Sequence, residues 1–289
     1  MNLKRRYYLT LEKIISELHY VKDVEQAVFQ KISSNKKVIE EIAKTAYQGD
    51  NFDFALLQRM PLTRLSVVTY LLISKYDEYS TKGIPDKIIF DTFEDVSLRA
   101  NLYYKKTGKA GISKDDVIWF RHIMNVSIFK IGSLQFQPFE MIYLDEETIE
   151  EHYMAFTKEQ KETLPNGSPV INCHIQRGAD LNPKSVELSF QRAKAFFSEI
   201  YPKQEYKAFL CYSWMLYPPM LERLSEKSNI KQFADKFAII GYCPDSKQAT
   251  EFILGSGKRK VIPENASFLQ KLVFEHLEWL GFACGIIWI

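Results

Sequence analysis

The sequence predicts an α+β protein, with a helical first part followed by a mixed β-sheet that is flanked by helices. Up to about residue 125, apolar residues recur at helical spacing; beyond it, short strand-like runs alternate with helical patterns. The 289 residues, 46% of them apolar, suffice for two domains with cores of their own. We therefore expect a helical domain at residues 1–125 and a second domain at residues 126–289.

The helical part follows from apolar spacing and from helix-start signals. A Gly-Ile-Pro break at residues 83–85 interrupts the pattern, because proline disfavours a helical conformation in the residue before it. Ser113 is a candidate N-cap for the last helix, with Asp115 and Asp116 in its first turn. Helices are predicted at residues 11–18, 38–43, 63–73, 90–104 and 114–122.

The second part alternates strands and helices. Gly132 and Ser133 form a two-residue loop of the type that closes a hairpin, and they join strands predicted at residues 126–131 and 134–136. The polar stretch at residues 145–168 is interpreted as a loop or a short helix. Further strands are predicted at residues 139–144, 170–175, 206–217, 237–242 and 282–289, and helices at residues 184–200, 220–227, 230–236, 247–254 and 267–280.

Composition and charge narrow the function classes. The net charge of +2 argues against nucleic acid as a partner, and the basic clusters at residues 4–6 and 258–260 are interpreted as solvated charge. We expect no membrane partner, because the longest apolar run, at residues 279–289, is too short to span a bilayer. The first residues lack the apolar core of a signal peptide, so we expect a cytoplasmic protein.

The four cysteines predict neither a metal site nor a disulfide framework. They are widely spaced, none belongs to a CxxC pair, and each lies in an apolar run, so we expect buried thiols and no metal. The cysteines are Cys173, Cys211, Cys243 and Cys284.

The segment at residues 169–200 is the most informative for chemistry. Strand alternation places Asn172 and His174 on one face and Cys173 on the other. Two polar side chains on one face of a central strand either find hydrogen-bond partners in the core or line a cleft, and both alternatives stay open. A turn with Gly178 follows, and Asn182 and Pro183 then start a helix. A strand, a glycine turn and a helix N-terminus in this order can hold a phosphate on backbone N–H groups.

A second strand, at residues 206–217, ends before Pro218 and Pro219, where another helix is expected. Tyr217 at its end can donate a proton, or else it is part of an aromatic core with one hydrogen bond at its edge. Ser213 is placed on the same face of this strand.

These stretches resemble a bacterial family that joins a helical N-acyltransferase N-terminal domain to a GNAT-like C-terminal domain. The resemblance covers most of the chain and is densest from residue 126 to residue 243. It rests on the segments GSLQF at residues 132–136, INCHI at 171–175 and CYSWML at 211–216, on Phe190 and Phe197, and on SNI at 228–230 with Phe233 and Phe237.

The resemblance implies a GNAT fold that transfers an acyl group from acetyl-CoA or a longer acyl-CoA to a small-molecule or peptide amine. Residues 169–175 would pair with the pantetheine arm, and the turn after them would wrap the diphosphate. In this reading His174 is the general base, Tyr217 the general acid and Ser213 a reserve acid. The donor-binding residues would be Ile175, Gln176, Arg177, Gly178, Ala179, Asp180 and Leu181.

Two alternatives belong to other classes. The first is a degenerate, non-catalytic GNAT-like binding protein, which the single glycine of the turn favours. The second is a cysteine hydrolase that pairs Cys173 or Cys211 with His174. It is the weaker one, because Cys173 and His174 are adjacent in a strand and point to opposite faces.

Overall fold

The structure, a computed structural model, describes residues 11–49, 51–254, 262 and 264–289. The chain divides into two compact units, residues 1–130 and 131–289. The predicted fold class is confirmed, since a helical region is followed by a mixed six-stranded sheet flanked by helices. The basic clusters at residues 4–6 and 258–260 lie outside the described residues.

The first unit is helical, as the apolar spacing predicted. The central helix α3 (Pro61–Thr81) is apolar along much of its length, with Leu65, Val68 and Leu72 fully buried. Helices α1 (Lys22–Ser34), α2 (Lys36–Thr45) and α4 (Asp86–Thr107) pack against it. Ser113 caps its helix as expected, because its hydroxyl accepts a hydrogen bond from the N–H of Asp116. Residues 11–17 are helical, and the helices after them are α1 (Lys22–Ser34), α2 (Lys36–Thr45), α3 (Pro61–Thr81), α4 (Asp86–Thr107), α5 (Lys114–Trp119) and α6 (Arg121–Met124).

The second unit carries the sheet, whose strand order is β1-β2-β3-β4-β6-β5. Strand β1 (Phe129–Ile131) lies at the division between the units. The other strands are β2 (Leu134–Glu140), β3 (Pro169–His174), β4 (Ala208–Ser213), β5 (Ala238–Cys243) and β6 (Phe282–Trp288). The helices are α7 (Glu146–Ile149), α8 (Lys158–Thr163), α9 (Pro183–Ile200), α10 (Pro218–Leu221), α11 (Asn229–Ala234), α12 (Lys247–Leu254) and α13 (Phe268–Glu275).

Helix α9 covers one face of this sheet. Phe190, on its buried stripe, contacts Phe136 of β2 and Phe209 of β4 with ring centroids 5.6 and 4.9 Å apart. The other face carries a second apolar core that includes Val170 and Leu210. Both faces of the central strands are therefore covered, which fixes β3 and β4 in place.

Several sequence expectations were wrong in extent: the strand predicted at 126–131 begins at Phe129, and the helix predicted at 267–280 ends at Glu275. Three further differences lie close to the strands β2, β3 and β4. No separate strand occupies residues 139–144, because β2 continues through Pro138 to Glu140. The strand expected at 206–217 ends at Ser213 and gives way to a 3₁₀ turn, Trp214–Leu216. The helix expected at 220–227 is the short α10, which begins at Pro218. Met215 and Tyr217 therefore do not share a strand face with Ser213.

Candidate functional site

The site begins where the parallel strands β3 and β4 diverge. Their pairing extends only from Val170 with Ala208 to Asn172 with Leu210. Both strands continue beyond it, paired on their outer sides with β2 and β6 as far as His174 and Ser213. A gap between neighbouring strands therefore opens toward their carboxyl ends, which is where open α/β sheets usually bind ligands.

A cavity of about 410 Å³ lies beyond these strand ends. One wall is the turn after β3, and the other is formed by the 3₁₀ turn after β4 with α11, α12 and α13. The second wall is largely apolar, and its apolar residues are Trp214, Met215, Ile230, Phe252, Ile253 and Leu269. Its polar residues are Ser267 and Gln270, which form the capping box of α13.

The turn after β3 is closed by one backbone hydrogen bond. The N–H of Ala179 donates to the carbonyl oxygen of Gln176 at 3.0 Å. Gly178, the third residue of this turn, has a φ of +79°, the left-handed value that favours glycine at this position. An added Cβ at Gly178 would meet no atom within 4 Å, so the backbone is open to a close approach.

Arg177 is the one charged residue among the described residues that line the cavity. Its guanidinium donates a hydrogen bond to the carbonyl oxygen of Phe252 at 2.9 Å and lies 5.6 Å from the centre of the Phe252 ring. The side chain therefore reaches from the turn to the last turn of α12. The described lining carries a positive charge and no carboxylate, so its electrostatics favour an anion.

Asp180 lies on the same turn but does not line the cavity. Its carboxylate accepts hydrogen bonds from the Ser185 hydroxyl at 2.6 Å and from the N–H of Asn182 at 2.9 Å. The bond from Ser185, followed by that from Asn182, lowers the pKa of Asp180. Asn182 in turn accepts a hydrogen bond from the N–H of Lys184. The side-chain oxygens of Asp180 and Asn182 therefore already bind N–H groups at the start of α9.

The cavity brings together six of the seven residues predicted to bind the donor. Those six are Ile175, Gln176, Arg177, Gly178, Ala179 and Leu181. Their role in donor binding remains a prediction.

His174 ends β3, one residue before the cavity lining begins. Its Nε2 lies 3.0 Å from Oε1 of Gln137 in β2, and the ring is half-buried. Because alternate residues of a strand point to opposite faces, His174 shares the face of Asn172, opposite Cys173. The structure thus places the candidate base beside the strand gap, on the face away from α9.

Ser213 and Tyr217 flank the end of β4. The Ser213 oxygen accepts a hydrogen bond from the N–H of Met215 at 3.1 Å, which starts the 3₁₀ turn. Tyr217 packs against Tyr242 and Gly281, and burial raises the pKa of its phenol. Among the described residues, none forms a hydrogen bond with the Tyr217 hydroxyl. Tyr217 therefore keeps its proton at neutral pH.

The thiols do not form a nucleophilic pair with His174. All four cysteines are free and buried. A hydrogen bond with Cys173 and burial raise the pKa of Cys211, so its thiol stays protonated. Since the thiolate is the nucleophile, the structure disfavours a cysteine hydrolase.

Sequence reasoning missed the apolar wall of the cavity and the partner of His174. The periodicity of α12 indicates that Phe252 and Ile253 are partly buried but not which cavity they line. A signal for Gln137 was present, because Gln135 and Gln137 alternate with the apolar residues of β2.

Comparison with known families decides the classification. Residues 128–283 match the GNAT-like C-terminal domain, and residues 18–126 match the N-acyltransferase N-terminal domain. The chain belongs to the GNAT-like N-acyltransferase family. The family predicted from the sequence is thereby confirmed. No curated protein matches the sequence of this GNAT-like chain.

Solved structures with the same fold are acyltransferases at 18% sequence identity. One, a mutant acyltransferase in complex with octanoyl-CoA, has a TM-score of 0.72, with 96% of this GNAT-like chain and 87% of that chain covered. Another, in complex with decanoyl-CoA and teicoplanin, has a TM-score of 0.70 and the same coverage. A third, in complex with CoA and 10C-teicoplanin, has a TM-score of 0.68 at the same identity and coverage.

In the described part of this GNAT-like chain, no group of three or more His, Cys, Asp or Glu side chains is arranged to hold a metal ion. None of the helices described is long and apolar enough to cross a membrane.

Proposed function

We propose that this protein is an N-acyltransferase that transfers an acyl group from acyl-CoA to the amine of a small-molecule or peptide acceptor. The observation that carries the proposal is the gap between β3 and β4 with the cavity beyond it. The acyltransferases that share this fold were solved with octanoyl-CoA, decanoyl-CoA and CoA, which supports the donor class. We also propose a cytoplasmic location, in keeping with the four free cysteines.

The strand gap fits a pantetheine arm. Beyond Asn172 and Leu210 the inner edges of β3 and β4 no longer pair with each other. Buried backbone N–H and C=O groups need hydrogen-bond partners, and the two amides of a pantetheine arm supply both donors and acceptors. An extended ligand between these strands would therefore complete the sheet locally.

The turn after β3 fits the diphosphate of the donor. Arg177 supplies the positive charge, and Gly178 lets the backbone approach closely. The start of α9 is a poorer site, because Asp180 already occupies it with a negative charge. We therefore place the diphosphate beside Arg177 and assign Asp180 the role of shaping the turn.

The apolar wall fits an acyl chain longer than acetyl. Met215, Ile230, Ile253 and Leu269 line the cavity and also pack partly buried against the neighbouring apolar core. Each methylene buried there would stabilise the complex by up to about 0.8 kcal/mol. We therefore propose a medium-chain acyl-CoA, rather than acetyl-CoA, as the preferred donor.

The chemical step needs a base and an acid. His174 takes a proton from the acceptor amine as its nitrogen attacks the thioester carbonyl carbon, so the C–N bond forms and the C–S bond breaks. Tyr217, which burial keeps protonated, gives its proton to the departing thiolate; it then regains a proton from solvent, and His174 releases to solvent the proton that it took from the amine. Ser213 is the reserve acid, because its oxygen accepts from Met215 while its own hydrogen can still be donated.

A non-catalytic binding protein of the same fold is the second candidate. Asp180 at the start of α9 and the single glycine of the turn favour it, because both make a weaker phosphate site than a glycine-rich loop.

Thermal unfolding in the presence of CoA, acetyl-CoA, octanoyl-CoA and decanoyl-CoA tests the donor, because ligand binding raises the melting temperature by mass action. We expect a larger rise with octanoyl-CoA than with acetyl-CoA or CoA. Octanoic acid serves as the control for the chain alone. Release of free CoA thiol in the presence of an amine then separates the candidates. Binding without transfer to any amine supports the non-catalytic protein, and no rise with any thioester contradicts both.

A further inference from the structure

Helix α12 is held at both of its ends, and each link leads to a different strand of the gap. At its start, Oε1 of Gln248 accepts a hydrogen bond from the N–H of Trp214, just beyond β4, at 3.0 Å. In its last turn, the carbonyl oxygen of Phe252 accepts a hydrogen bond from Nη2 of Arg177, in the turn after β3, at 2.9 Å. The helix therefore links the ends of the two strands between which the donor would lie.

The two links differ in whether a ligand can reach them. Gln248 is half-buried and neutral, whereas Arg177 is exposed, charged and part of the cavity lining. Among the described residues, Phe252 is the one hydrogen-bond partner of the Arg177 guanidinium, through Nη2. A guanidinium carries five N–H donors in a planar fork. Nη2 can therefore keep the carbonyl oxygen of Phe252 while Nη1 and Nε bind oxygens of a phosphate.

The last turn of α12 forms part of the apolar wall. The Phe252 ring lies 5.6 Å from the guanidinium carbon of Arg177, within the range of a cation–π attraction. Phe252 is 39% exposed, so packing alone holds its side chain weakly. Ile253, the next residue, lines the same wall and is partly buried against the apolar core. A displacement of this turn would therefore move two apolar side chains of the wall.

We propose that Arg177 is a specificity-determining residue, which binds the diphosphate and the Phe252 carbonyl together and so makes the preference for a long acyl chain depend on the diphosphate. The inference rests on the proposed acyltransferase function. Before the donor binds, one carbonyl oxygen and one exposed ring hold the guanidinium. A diphosphate would fix it through further charge-assisted hydrogen bonds, and the last turn of α12 would be fixed with it. The wall would then be ordered before the chain arrives, which strengthens binding of the chain.

Arg177→Lys separates the charge from the link. The ammonium group keeps a positive charge for the diphosphate but lacks the planar fork that binds two partners at once. Calorimetry gives the Kd for CoA and for octanoyl-CoA, and the ratio of the two isolates the contribution of the chain. We expect this ratio to fall about 3- to 10-fold in Arg177→Lys, as for the loss of one hydrogen bond.

Donors without a diphosphate test the same coupling from the side of the ligand. Octanoyl-pantetheine and pantetheine differ by the same acyl chain as octanoyl-CoA and CoA, but they carry no diphosphate. In the wild type we expect the chain to improve the Kd about 3- to 10-fold less in the pantetheine pair than in the CoA pair. In Arg177→Lys the chain should contribute equally in both pairs.

Ile230→Ala is the matched control. Ile230 lines the same wall from α11, so its truncation removes contact area for the chain without changing either link of α12. We expect it to weaken the contribution of the chain by the same factor in the CoA pair and in the pantetheine pair. If Ile230→Ala also abolishes the difference between the pairs, any change in the wall removes it, and the role given to Arg177 is wrong.

Hydrogen exchange adds a readout that needs neither a chain nor turnover. Saturating CoA should slow amide exchange in α12 of the wild type and not in Arg177→Lys, and urea unfolding shows that each variant is folded. An unchanged Kd ratio in Arg177→Lys, or equal chain contributions in both pairs of the wild type, overturns the coupling and leaves the proposed function standing. If Arg177→Lys binds no CoA, the two pairs in the wild type still decide. A wild type that binds no thioester overturns the proposed function and the coupling with it.

Discussion

Gly178→Val tests where the acyl donor binds. The φ of Gly178 is +79°, a left-handed value that costs a residue with a Cβ about 1–2 kcal/mol. The added Cβ would meet no atom within 4 Å, so it brings no clash. The expected loss in the free energy of unfolding is about 2 kcal/mol, small against the roughly 5–15 kcal/mol of a typical domain. The variant should therefore fold.

The ability of this variant to bind acyl-CoA should nevertheless disappear. A ligand at about 100 times its Kd stabilises a protein by about 2.7 kcal/mol. In a domain of this size, that raises the melting temperature by about 5–10 °C. The branched side chain introduced by Gly178→Val would occupy the space through which a diphosphate approaches the turn. Thermal unfolding with and without octanoyl-CoA should therefore show the rise in the wild type and none in the variant.

Gly167→Val is the matched control. Gly167 has the same φ of +79° and no atom within 4 Å of an added Cβ, and it does not line the cavity. We expect Gly167→Val to lose a similar free energy of unfolding and to keep the full rise in melting temperature with octanoyl-CoA. A full rise in Gly178→Val would refute the placement of the donor at this turn. Loss of the rise in both variants would show that backbone strain acts through the whole unit.

Three further substitutions test the catalytic assignments and the packing around them. His174→Ala should lower the single-turnover rate about 10²–10⁴-fold and leave the affinity for the donor unchanged. If the variant instead loses about 1–3 kcal/mol in the free energy of unfolding but keeps normal activity per folded molecule, His174 is not the base. Tyr217→Phe should lower the rate at about pH 7 by at least about 10-fold while the urea midpoint stays unchanged. Because burial raises the pKa of Tyr217, the wild-type phenol stays protonated at neutral pH, and a loss of tyrosine-dependent activity between neutral pH and the ordinary tyrosine pKa of about 10 would contradict the assignment. Gly281→Ala would place a Cβ against the Tyr217 ring and 2.5 Å from the carbonyl oxygen of Cys243. We therefore expect the free energy of unfolding in urea to fall by about 1–3 kcal/mol. An unchanged urea midpoint would refute this packing.

Local signals predicted much of the fold. The helix start at Ser113 followed from a hydroxyl and two carboxylates in the right positions, and the structure shows the capping box. The β3–turn–α9 segment followed from alternation, a glycine and an Asn-Pro pair, all within residues 169–200. In each case the residues that decide the structure are close together in the sequence.

The end of β4 could not be predicted, because a distant residue determines it. The apolar run continues past Ser213, and nothing near it in sequence requires a stop before Pro218. In the structure the N–H of Trp214 donates to the side chain of Gln248, 34 residues later, at 3.0 Å. Together with the Ser213 oxygen, Gln248 turns the backbone out of the sheet, and only the tertiary fold brings it there.

Pro138 does not end β2, although the sequence predicts separate strands at residues 134–136 and 139–144. Proline is tolerated in a strand where its missing N–H faces an unpaired edge. Strand β1 has only three residues, so the later part of β2 pairs with β3 alone among the described strands. Pro138 lies in this part of β2, opposite Ile171 of β3. The missing N–H of Pro138 therefore costs no ladder hydrogen bond.

The candidate site was predicted on one side only. The turn residues from Ile175 to Leu181 came from a local pattern and from the family resemblance. The opposite wall comes from α11, α12 and α13, whose short amphipathic sequences indicate burial but not the surface against which they pack. Which strands pair with each other is likewise a long-range property, and β5 lies outside β6 although it precedes it in sequence.

The wall that would hold the acyl chain has a consequence for how such enzymes diversify. Helices α12 and α13 lie on one stretch of chain between β5 and β6, whereas His174, Gln137 and Ser213 lie on strands that this stretch does not interrupt. Replacement of that contiguous segment would therefore change three of the six apolar residues of the wall, Phe252, Ile253 and Leu269, while the groups on those strands stay where they are. The segment that carries α12 and α13 could therefore be exchanged between relatives, in evolution or by design, without changes to the strands of the sheet.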